Sequence, residues 1–479
     1  MESRPASVLS KLVILITAIF VVYIIILNLW FSVYTDSILY VLITIPVFAA
    51  VLFLALKMNI LPASFAIMVF IMAFLFRGTL AFLVDTRPVS DFSLFYKYAV
   101  DLIQGKKAFE QYLYFKTWAY QTGSVIYYAG IMKLFGTGLL PLKLVNCFFM
   151  AGSNMLVYLI ARKVSNDFTA RFVSLLYLIY PAPYFLASVL TNQHFAACMF
   201  LTGLYLLLLE HKNILVRGIA AAVFIAAGNA VRPLGPVIIT AVVLWCIVEA
   251  LNHKSMAKIL LSAVLVAVYL TANLGLSAVV KSTGINTEGL KNNFPLWKFV
   301  VGLNQQSKGQ FSYDDQNKIY VIEDFSKRNE MALETIKERA SVEPHKLLEF
   351  FGTKVLVMWA EFDTLAWEFY EEDNGTLKAP EQIEKIEPVA VRVEKMFYIL
   401  MFLLLLTGLI KSLANRNIHS GIKLLSIILL CYFGVHLLIE IQVRYRYFAI
   451  LIVFILAAAG SEVLFAPFKK YKKSVMSIK

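Results

Sequence analysis

Long apolar runs separated by short polar loops set the pattern of this chain. A membrane-crossing helix needs about 20 mostly apolar residues. Segments 11–34, 38–56, 62–84, 139–161, 168–187, 190–209, 214–231, 234–251, 257–280, 393–411, 421–440 and 447–467 come close to or exceed that length. The first has no small-residue cleavage site and runs straight into another apolar stretch, so it reads as a span and not as a removable signal peptide. The fold class expected is an all-α polytopic membrane protein.

One further apolar piece, Gln121 to Gly136, is shorter and carries Gln121, Thr122, Ser124 and Lys133. Charge decides its placement. If it crossed the membrane, Arg162, Lys163 and Arg171 would fall outside together with most later basic loops. If it lies at the interface or re-enters, the clusters Arg4/Lys11, Lys57, Arg162/Lys163/Arg171, Lys212/Arg217, Lys254/Lys258, Lys411/Arg416/Lys423 and the tail from Lys469 all share one side. The second arrangement obeys the positive-inside rule. It predicts twelve crossings with both termini cytoplasmic, and an active face on the outer side.

The expected organisation follows from this topology. Residues 1–61 form two N-terminal transmembrane helices, and 62–280 form a transmembrane module that includes an amphipathic outer loop, 85–138. Residues 281–392 form a polar extracytoplasmic subdomain, and 393–479 hold the last spans and a basic cytoplasmic tail. Within the subdomain, Asp314 to Ala340 reads as one charged helix with Ile319, Ile322, Leu333 and Ile336 as its apolar positions. No internal repeat is visible, and the uneven division of spans around the two outer segments weighs against an inverted-repeat transporter.

Composition narrows the class further. With 479 residues, 60% hydrophobic and 16% charged, the chain departs from ordinary soluble proteins. A mean hydropathy of +0.73 excludes a cytosolic globular protein, a disordered chain and a disulfide-stapled secreted domain. Cys147, Cys198, Cys246 and Cys431 lie in apolar stretches without paired spacing, so they read as small core residues. The net charge of +13 does not mark a nucleic-acid binder. Nineteen of the 31 acidic residues fall between Lys281 and Arg392, against 14 Lys and Arg there, so the positive excess sits in the short loops.

Ionisable groups at membrane depth cost about 2.5–3.5 kcal/mol each on insertion scales, so their positions carry information. Arg77 lies roughly 10 Å below the outer end of its span, from where it can snorkel outward. The first outer loop brings Asp85, Arg87 and Asp91, then Phe92, Phe95, Tyr96, Ala99 and Ile103 at the spacing of a helix lying on the membrane surface. Asp91 at the start of that helix also suits an N-cap. Asn192, Gln193 and His194 open one span from the outer side, and Asn229 and Arg232 close another. His436, Glu440, Gln442, Arg444 and Arg446 gather between the last two spans. Singly these residues have ordinary structural roles: Glu440 with Arg444 is an i, i+4 ion pair, and His194 can be a satisfied polar residue. Together they describe an outward-facing, cation-rich site at headgroup depth, suited to a lipid phosphate. No G-x-x-x-x-G-K-[ST] loop, D-x-D or H-E-x-x-H occurs, so neither a phosphate-binding ATP loop nor a nucleotide-sugar metal site nor a zincin is indicated. The N-x-[ST] match at Asn374 carries little information.

The run LFRGTLAFLVDTRPVSDFSLFYKYAVDLIQGK, Leu75 to Lys106, resembles the signature of GT-C-fold glycosyltransferases that use polyprenyl-phosphate sugars. The resemblance rests on Arg77, Ser90, Asp91, Tyr96, Ala99 and Gly105. It continues through Thr122 to Leu159 with a Leu-Phe-Gly and an Asn-bearing span, then Ala-Arg-Lys at 161–163, and returns at Arg444-Tyr445-Arg446-Tyr447. It is nearest to the glycosyltransferase family 39 group, which includes protein O-mannosyltransferases and the lipid A aminoarabinose transferase. Two extra spans precede the one carrying Arg77, Phe92 stands where the family often has a second acidic residue, and 281–392 is a compact insertion. What the resemblance implies is inverting transfer of a sugar from a polyprenyl monophosphate to an acceptor on the non-cytoplasmic face. It makes Asp91 the general base, with Arg444, Arg446, Arg232 and His194 at the donor phosphate and Arg77, Arg87, Tyr96 and Glu440 in support. No cofactor is assigned and no metal ligand is visible beyond Asp91, although some relatives use a divalent ion. The implied partners are a polyprenyl-phosphate-linked sugar, a cell-surface glycan, lipid or protein as acceptor, and membrane lipid. In a bacterial plasma membrane these become undecaprenyl phosphate and teichoic acid or another wall polymer. A lipid-linked sugar transporter or flippase, a surface-polysaccharide polymerase or ligase, and a scaffold without catalysis remain alternatives.

Overall fold

The structure, a computed structural model, describes residues 8–209, 213–365, 371–373, 376–378 and 381–465. Arg4, Lys212, Asn374 and the tail from Lys469, all part of the expected topology, lie outside the described residues. The first helices are α1 (Val8–Tyr34), α2 (Val41–Lys57), α3 (Pro62–Leu83), α4 (Asp91–Ile103), α5 (Leu113–Thr117), α6 (Thr122–Phe135) and α7 (Leu139–Val164). Next come α8 (Asp167–Ile179), α9 (Pro181–Tyr184), α10 (Gln193–Leu208), α11 (Ile214–Val231), α12 (Gly235–His253) and α13 (Met256–Ser282). The outer segment holds α14 (Trp297–Gly302), α15 (Tyr313–Asp315), α16 (Phe325–Ala340), α17 (Pro344–Trp359) and a hairpin of β1 (Glu371–Asp373) and β2 (Thr376–Lys378). Three helices close the chain: α18 (Glu381–Ala414), α19 (Ser420–Leu438) and α20 (Tyr447–Leu464).

Among the described residues, ten helices are long and apolar enough to cross a membrane: α1, α2, α3, α7, α11, α12, α13, α18, α19 and α20, two of them counted with an adjoining turn. The chain is a multi-pass membrane protein. The other two expected spans, 168–187 and 190–209, are realised differently. They form the shorter helices α8 and α10, joined by a buried, largely non-helical stretch from Tyr180 to Asn192. Pro181 and Pro183 explain the break, because each lacks an N–H and disfavours helix in the residue before it. Irregular backbone at membrane depth is tolerated where protein surrounds it and supplies hydrogen bonds. Here Tyr128 Oη donates to Leu190 O at 2.5 Å, Asn146 Nδ2 to Thr191 O at 3.3 Å and Ser188 Oγ to Val84 O at 3.1 Å.

Arg77 belongs to the same repair. It is fully buried and does not snorkel. Its guanidinium donates to Met150 O (3.2 Å), Asn154 Oδ1 (3.3 Å) and Tyr177 O (3.3 Å), tying α3, α7 and α8 together. Tyr177 O is the carbonyl whose helical partner would be the N–H that Pro181 lacks, so Arg77 supplies the missing donor.

The expected charged helix from Asp314 to Ala340 is interrupted. Asp324 accepts from the backbone N–H of Ser326 (2.8 Å) and Lys327 (3.2 Å), an N-cap that starts α16 at Phe325. The buried face of α16 carries Arg328 and Ala332, while Leu333 is 44% exposed. Arg328 donates to Thr117 Oγ1 at 3.0 Å, and Arg339 grips Asp315 through two bonds of 2.6 and 3.0 Å. The Arg328 contact fastens the segment to α5, and the Arg339 pair ties α16 to α15 within it.

Candidate active site

Helix α4 begins the site. Ser90 occupies its N-cap at φ +52°, ψ −136°, a left-handed conformation costly for a residue with a Cβ. Asp91 is therefore the first helical residue and not the cap. The helix packs on α6 through Phe92, Phe95, Tyr98 and Ala99, all buried. Ile103 is 40% exposed and Tyr96 spends its hydroxyl on Thr137 O at 2.8 Å, so the buried face is rotated from the one the spacing predicts. The reason is that α4 packs within protein and not on a flat lipid surface.

Two adjoining cavities meet at Asp91. The smaller, about 250 Å³, is lined by Phe92, Phe95, Asn192, Arg232 and His436; the larger, about 630 Å³, by Ser93, Tyr114, Trp118, Trp297 and Tyr320. Asp91, Tyr120, Gln121, Lys298, Glu440, Arg444 and Tyr445 line both. The surrounding walls desolvate the Asp91 carboxyl and raise its pKa above the ordinary carboxylate value, while Lys298, Arg444 and the nearby Tyr114 hydroxyl oppose the rise.

Arg232 ends α11 beside the smaller cavity. Its Nη1 donates to Asn192 Oδ1 at 3.1 Å, and Asn192 Nδ2 in turn donates to Val231 O (2.8 Å) and Ser124 Oγ (3.1 Å). This junction of α6 and α11 needs Gly123, since a Cβ there would lie 1.7 Å from Ala230 O. Arg444 stacks over Phe92 at 5.1 Å, and its Nε donates to Gln442 Oε1 at 2.7 Å. Glu440 pairs with Lys298, with Nζ to Oε2 at 2.5 Å. Burial works against the charge of Lys298, and the Glu440 carboxylate outweighs it and raises the ammonium pKa. Burial likewise opposes ionisation of Glu440, and Lys298 outweighs that and lowers its pKa.

The structure thus brings together Asp91, Arg232, Glu440 and Arg444 and separates the rest of the expected set. Arg446 is 1% exposed and turns the other way: Nη1 donates to Glu361 O at 3.0 Å, and Nη2 lies 3.9 Å from both Asp363 and Glu394. On the short 3-10 turn Val443–Arg446, two positions of separation place the two arginines on different faces. His194 is fully buried, with its ring nitrogens 2.9 Å from Tyr447 Oη and 3.0 Å from Leu186 O, where it serves the irregular stretch after α9. Arg87 is exposed and lines neither cavity. Glu440 pairs with Lys298 and not with Arg444 across a helical turn, because α19 ends at Leu438.

Lys298 was not legible as a site residue, since nothing in the polar segment 281–392 distinguishes it from the other lysines there. Gln121 opens the ambiguous piece and Tyr120 precedes it, and only the placement of that piece beside α4 makes them cavity residues. Among the described residues, no group of three or more His, Cys, Asp or Glu side chains is placed to hold a metal ion. Glu440 already accepts from Lys298, Gln442 and Tyr445, which leaves Asp91 as a lone carboxylate at the cavity, a poor match to the oxygen-rich shell of a divalent ion.

No protein-family model and no curated protein matches the chain. Solved structures do. The oligosaccharyltransferase of Archaeoglobus fulgidus in its apo form is similar with a TM-score of 0.51 at 14% identity, covering 86% of this chain and 52% of that one. The same archaeal enzyme, AglB, in complex with an inhibitory peptide and a dolichol-phosphate gives a TM-score of 0.50 at 14% identity, with the same coverage. ArnT from Cupriavidus metallidurans bound to undecaprenyl phosphate is similar at a TM-score of 0.36 and 13% identity, covering 84% of this chain and 78% of that one. The chain spans about half the length of the archaeal structures it matches. The likeness shows the fold: this chain has the GT-C fold that the Leu75 to Lys106 run led us to expect.

Proposed function

We propose that the chain is a membrane glycosyltransferase that moves a sugar from a polyprenyl-phosphate donor to an acceptor on the outer face of the membrane, with inversion. One observation carries the reading. Asp91, the residue singled out by the resemblance, shares a cavity with two arginines, Arg232 and Arg444, contributed by separate helical regions. The archaeal structure of the same fold holds a dolichol-phosphate, a ligand of the kind that such a cavity suits.

The chemistry follows from the arrangement. The acceptor hydroxyl oxygen attacks the anomeric carbon as the bond from that carbon to the phosphate oxygen breaks. The hydroxyl proton passes to Asp91 late in the step, since a carboxylate with a pKa near 3.9 is too weak to ionise an alcohol beforehand. A raised pKa brings Asp91 nearer to that task. Charge then develops on the departing phosphate, and Arg232 and Arg444 stabilise it in a site shielded from bulk water. Lys298, held by Glu440, adds a third cation at the boundary of the two cavities. Both termini are placed in the cytoplasm by this reading, with the cavities opening outward.

The test is release of polyprenyl phosphate from a radiolabelled polyprenyl-phosphate sugar by purified protein, with Asp91→Asn beside it. Wild-type cleavage that the variant lacks is the expected result. Binding without cleavage by both, together with donor movement across liposomes, would replace the reading by a flippase.

A further inference from the structure

The outer part of the larger cavity has its own chemistry. Every charged residue that lines it, Asp91, Lys298, Glu440 and Arg444, stands on the wall shared with the smaller cavity. Beyond that wall the described lining is aromatic rings with hydroxyl and amide groups and one aliphatic residue, Leu94, and it carries no charge. Trp118 lies flat on Tyr320, with ring centroids 4.8 Å apart and an interplanar angle of 1°, and Trp297 stands 6.4 Å from Trp118. At the mouth, Phe311 and Tyr313 meet edge to face at 5.1 Å, and they remain 41% and 75% exposed. One wall atom, Gln121 Oε1, is buried without a hydrogen bond, an arrangement that a native structure keeps only for a reason.

These properties select among acceptors. Aromatic faces carry partial negative charge and present a large rigid area at little entropic cost. The C–H bonds on one face of a sugar ring carry the complementary partial charge, and its hydroxyls match the amide and hydroxyl groups between the rings. A lipid chain is suited by aliphatic walls instead, as in the separate groove formed mainly by Ile45, Leu52, Leu400, Leu403 and Leu404. The volume of about 630 Å³ lies within the range of roughly 300–1,000 Å³ usual for small-molecule sites.

We infer that the acceptor is a neutral glycan, whose terminal ring packs against Trp118, which Tyr320 backs and Trp297 flanks, with one hydroxyl toward Asp91, and whose next ring meets Phe311 and Tyr313. This deepens the transferase reading and rests on it for the role of Asp91. The ring surfaces set the affinity for acceptor without touching the donor phosphate.

Binding and turnover separate the two claims. Neutral oligosaccharides (maltotriose and triacetylchitotriose) are titrated into the full chain with undecaprenyl phosphate present, and saturation-transfer NMR reads binding without any turnover. Saturable binding of at least one is expected, weakened about tenfold by Tyr313→Ala or Phe311→Ala, whose exposed rings leave folding intact. Trp118→Phe keeps most of the affinity and Trp118→Ala loses it. No binding by either oligosaccharide, or binding unchanged in both rim variants, overturns the inference, as does wild-type transfer to a peptide or lipid in preference to a glycan. Oligosaccharide binding by a protein that never cleaves the donor supports the glycan site and sinks the transferase reading alone.

Discussion

Lys298 and Glu440 are joined twice: Nζ lies 2.5 Å from Oε2, and the Glu440 backbone N–H donates to the Lys298 carbonyl at 2.9 Å. The pair links the outer segment to the chain that leaves α19, two regions 142 residues apart in sequence. It sits on the wall that both cavities share, which the proposed function makes the boundary between donor and acceptor space. Glu440 is 4% exposed, and removing its partner leaves a charge without compensation. Lys298→Met is expected to cost about 1–3 kcal/mol of stability. Adding Glu440→Gln to it should recover part of that loss in thermal melts while transfer stays low. Full additivity of the two variants would show the pair to be uncoupled.

The two arginines of the Arg444-Tyr445-Arg446 run should separate in experiment. Arg444→Ala is expected to weaken undecaprenyl phosphate binding roughly 10- to 100-fold, the loss of a charge-assisted phosphate contact worth about 1.5–3 kcal/mol. Arg446→Ala should instead lower the melting temperature, because it strands Glu394 and Asp363 in the interior. Equal effects of both on lipid affinity would move the phosphate site.

Asp91 predicts a pH dependence. Its pKa is raised in the folded protein, and the base must be ionised to accept a proton. Activity should therefore fall as pH drops through a value above the ordinary carboxylate range of about 3.9. Asp91→Asn should abolish transfer and leave lipid binding intact, and a normal acid limb in any residual activity of that variant would assign the titration elsewhere. The folded state disfavours the ionised carboxylate, so Asp91→Asn should be neutral or mildly stabilising above that range.

Lys354 holds the site together from behind. It is 1% exposed and its Nζ donates to Gly302 O (2.6 Å), Leu437 O (2.8 Å) and Ile439 O (2.8 Å), pinning α14 to the end of α19. Gly302 packs so closely on that end that a Cβ would lie 2.3 Å from Leu438 O. Lys354→Met leaves three carbonyls without this donor and is expected to cost about 3 kcal/mol. Gly302→Ala should reduce turnover by displacing Glu440 and also lower the melting temperature, because the atoms its Cβ meets are backbone. Unchanged turnover in Gly302→Ala would detach Glu440 from the reaction.

Topology is open to a direct check. In a cysteine-free background, Tyr313→Cys at the cavity mouth should react with an impermeant reagent added to intact cells, and Asn415→Cys between α18 and α19 should not. Both positions are exposed. Labelling of Asn415→Cys alone would invert the orientation.

The spans were legible because lipid leaves a helix no choice but a long apolar run, and composition records that run directly. Asp91 was legible for another reason: Ser90-Asp91 sits at a fixed helical distance from Tyr96, Ala99 and Gly105, a local pattern that survives without tertiary information. The break between α8 and α10 was signalled by Pro181 and Pro183, yet hydropathy alone passes over it, because the stretch is as apolar as a span. The arginines show the opposite case. Arg444 and Arg446 are indistinguishable by composition, spacing or neighbours, and a turn of backbone sends one into the cavity and the other toward Glu394.

What the sequence by itself determined is therefore the membrane fold, ten of the twelve spans it predicts and the carboxylate at the head of α4, since each is written in contiguous residues. The tertiary structure alone decided which cations face that carboxylate, that Lys298 joins them from the outer segment, and that His194, Arg77 and Arg446 hold the scaffold instead. Those choices depend on contacts between residues far apart in the chain, where a few ångströms of packing and the need to satisfy buried polar groups fix each side chain's direction.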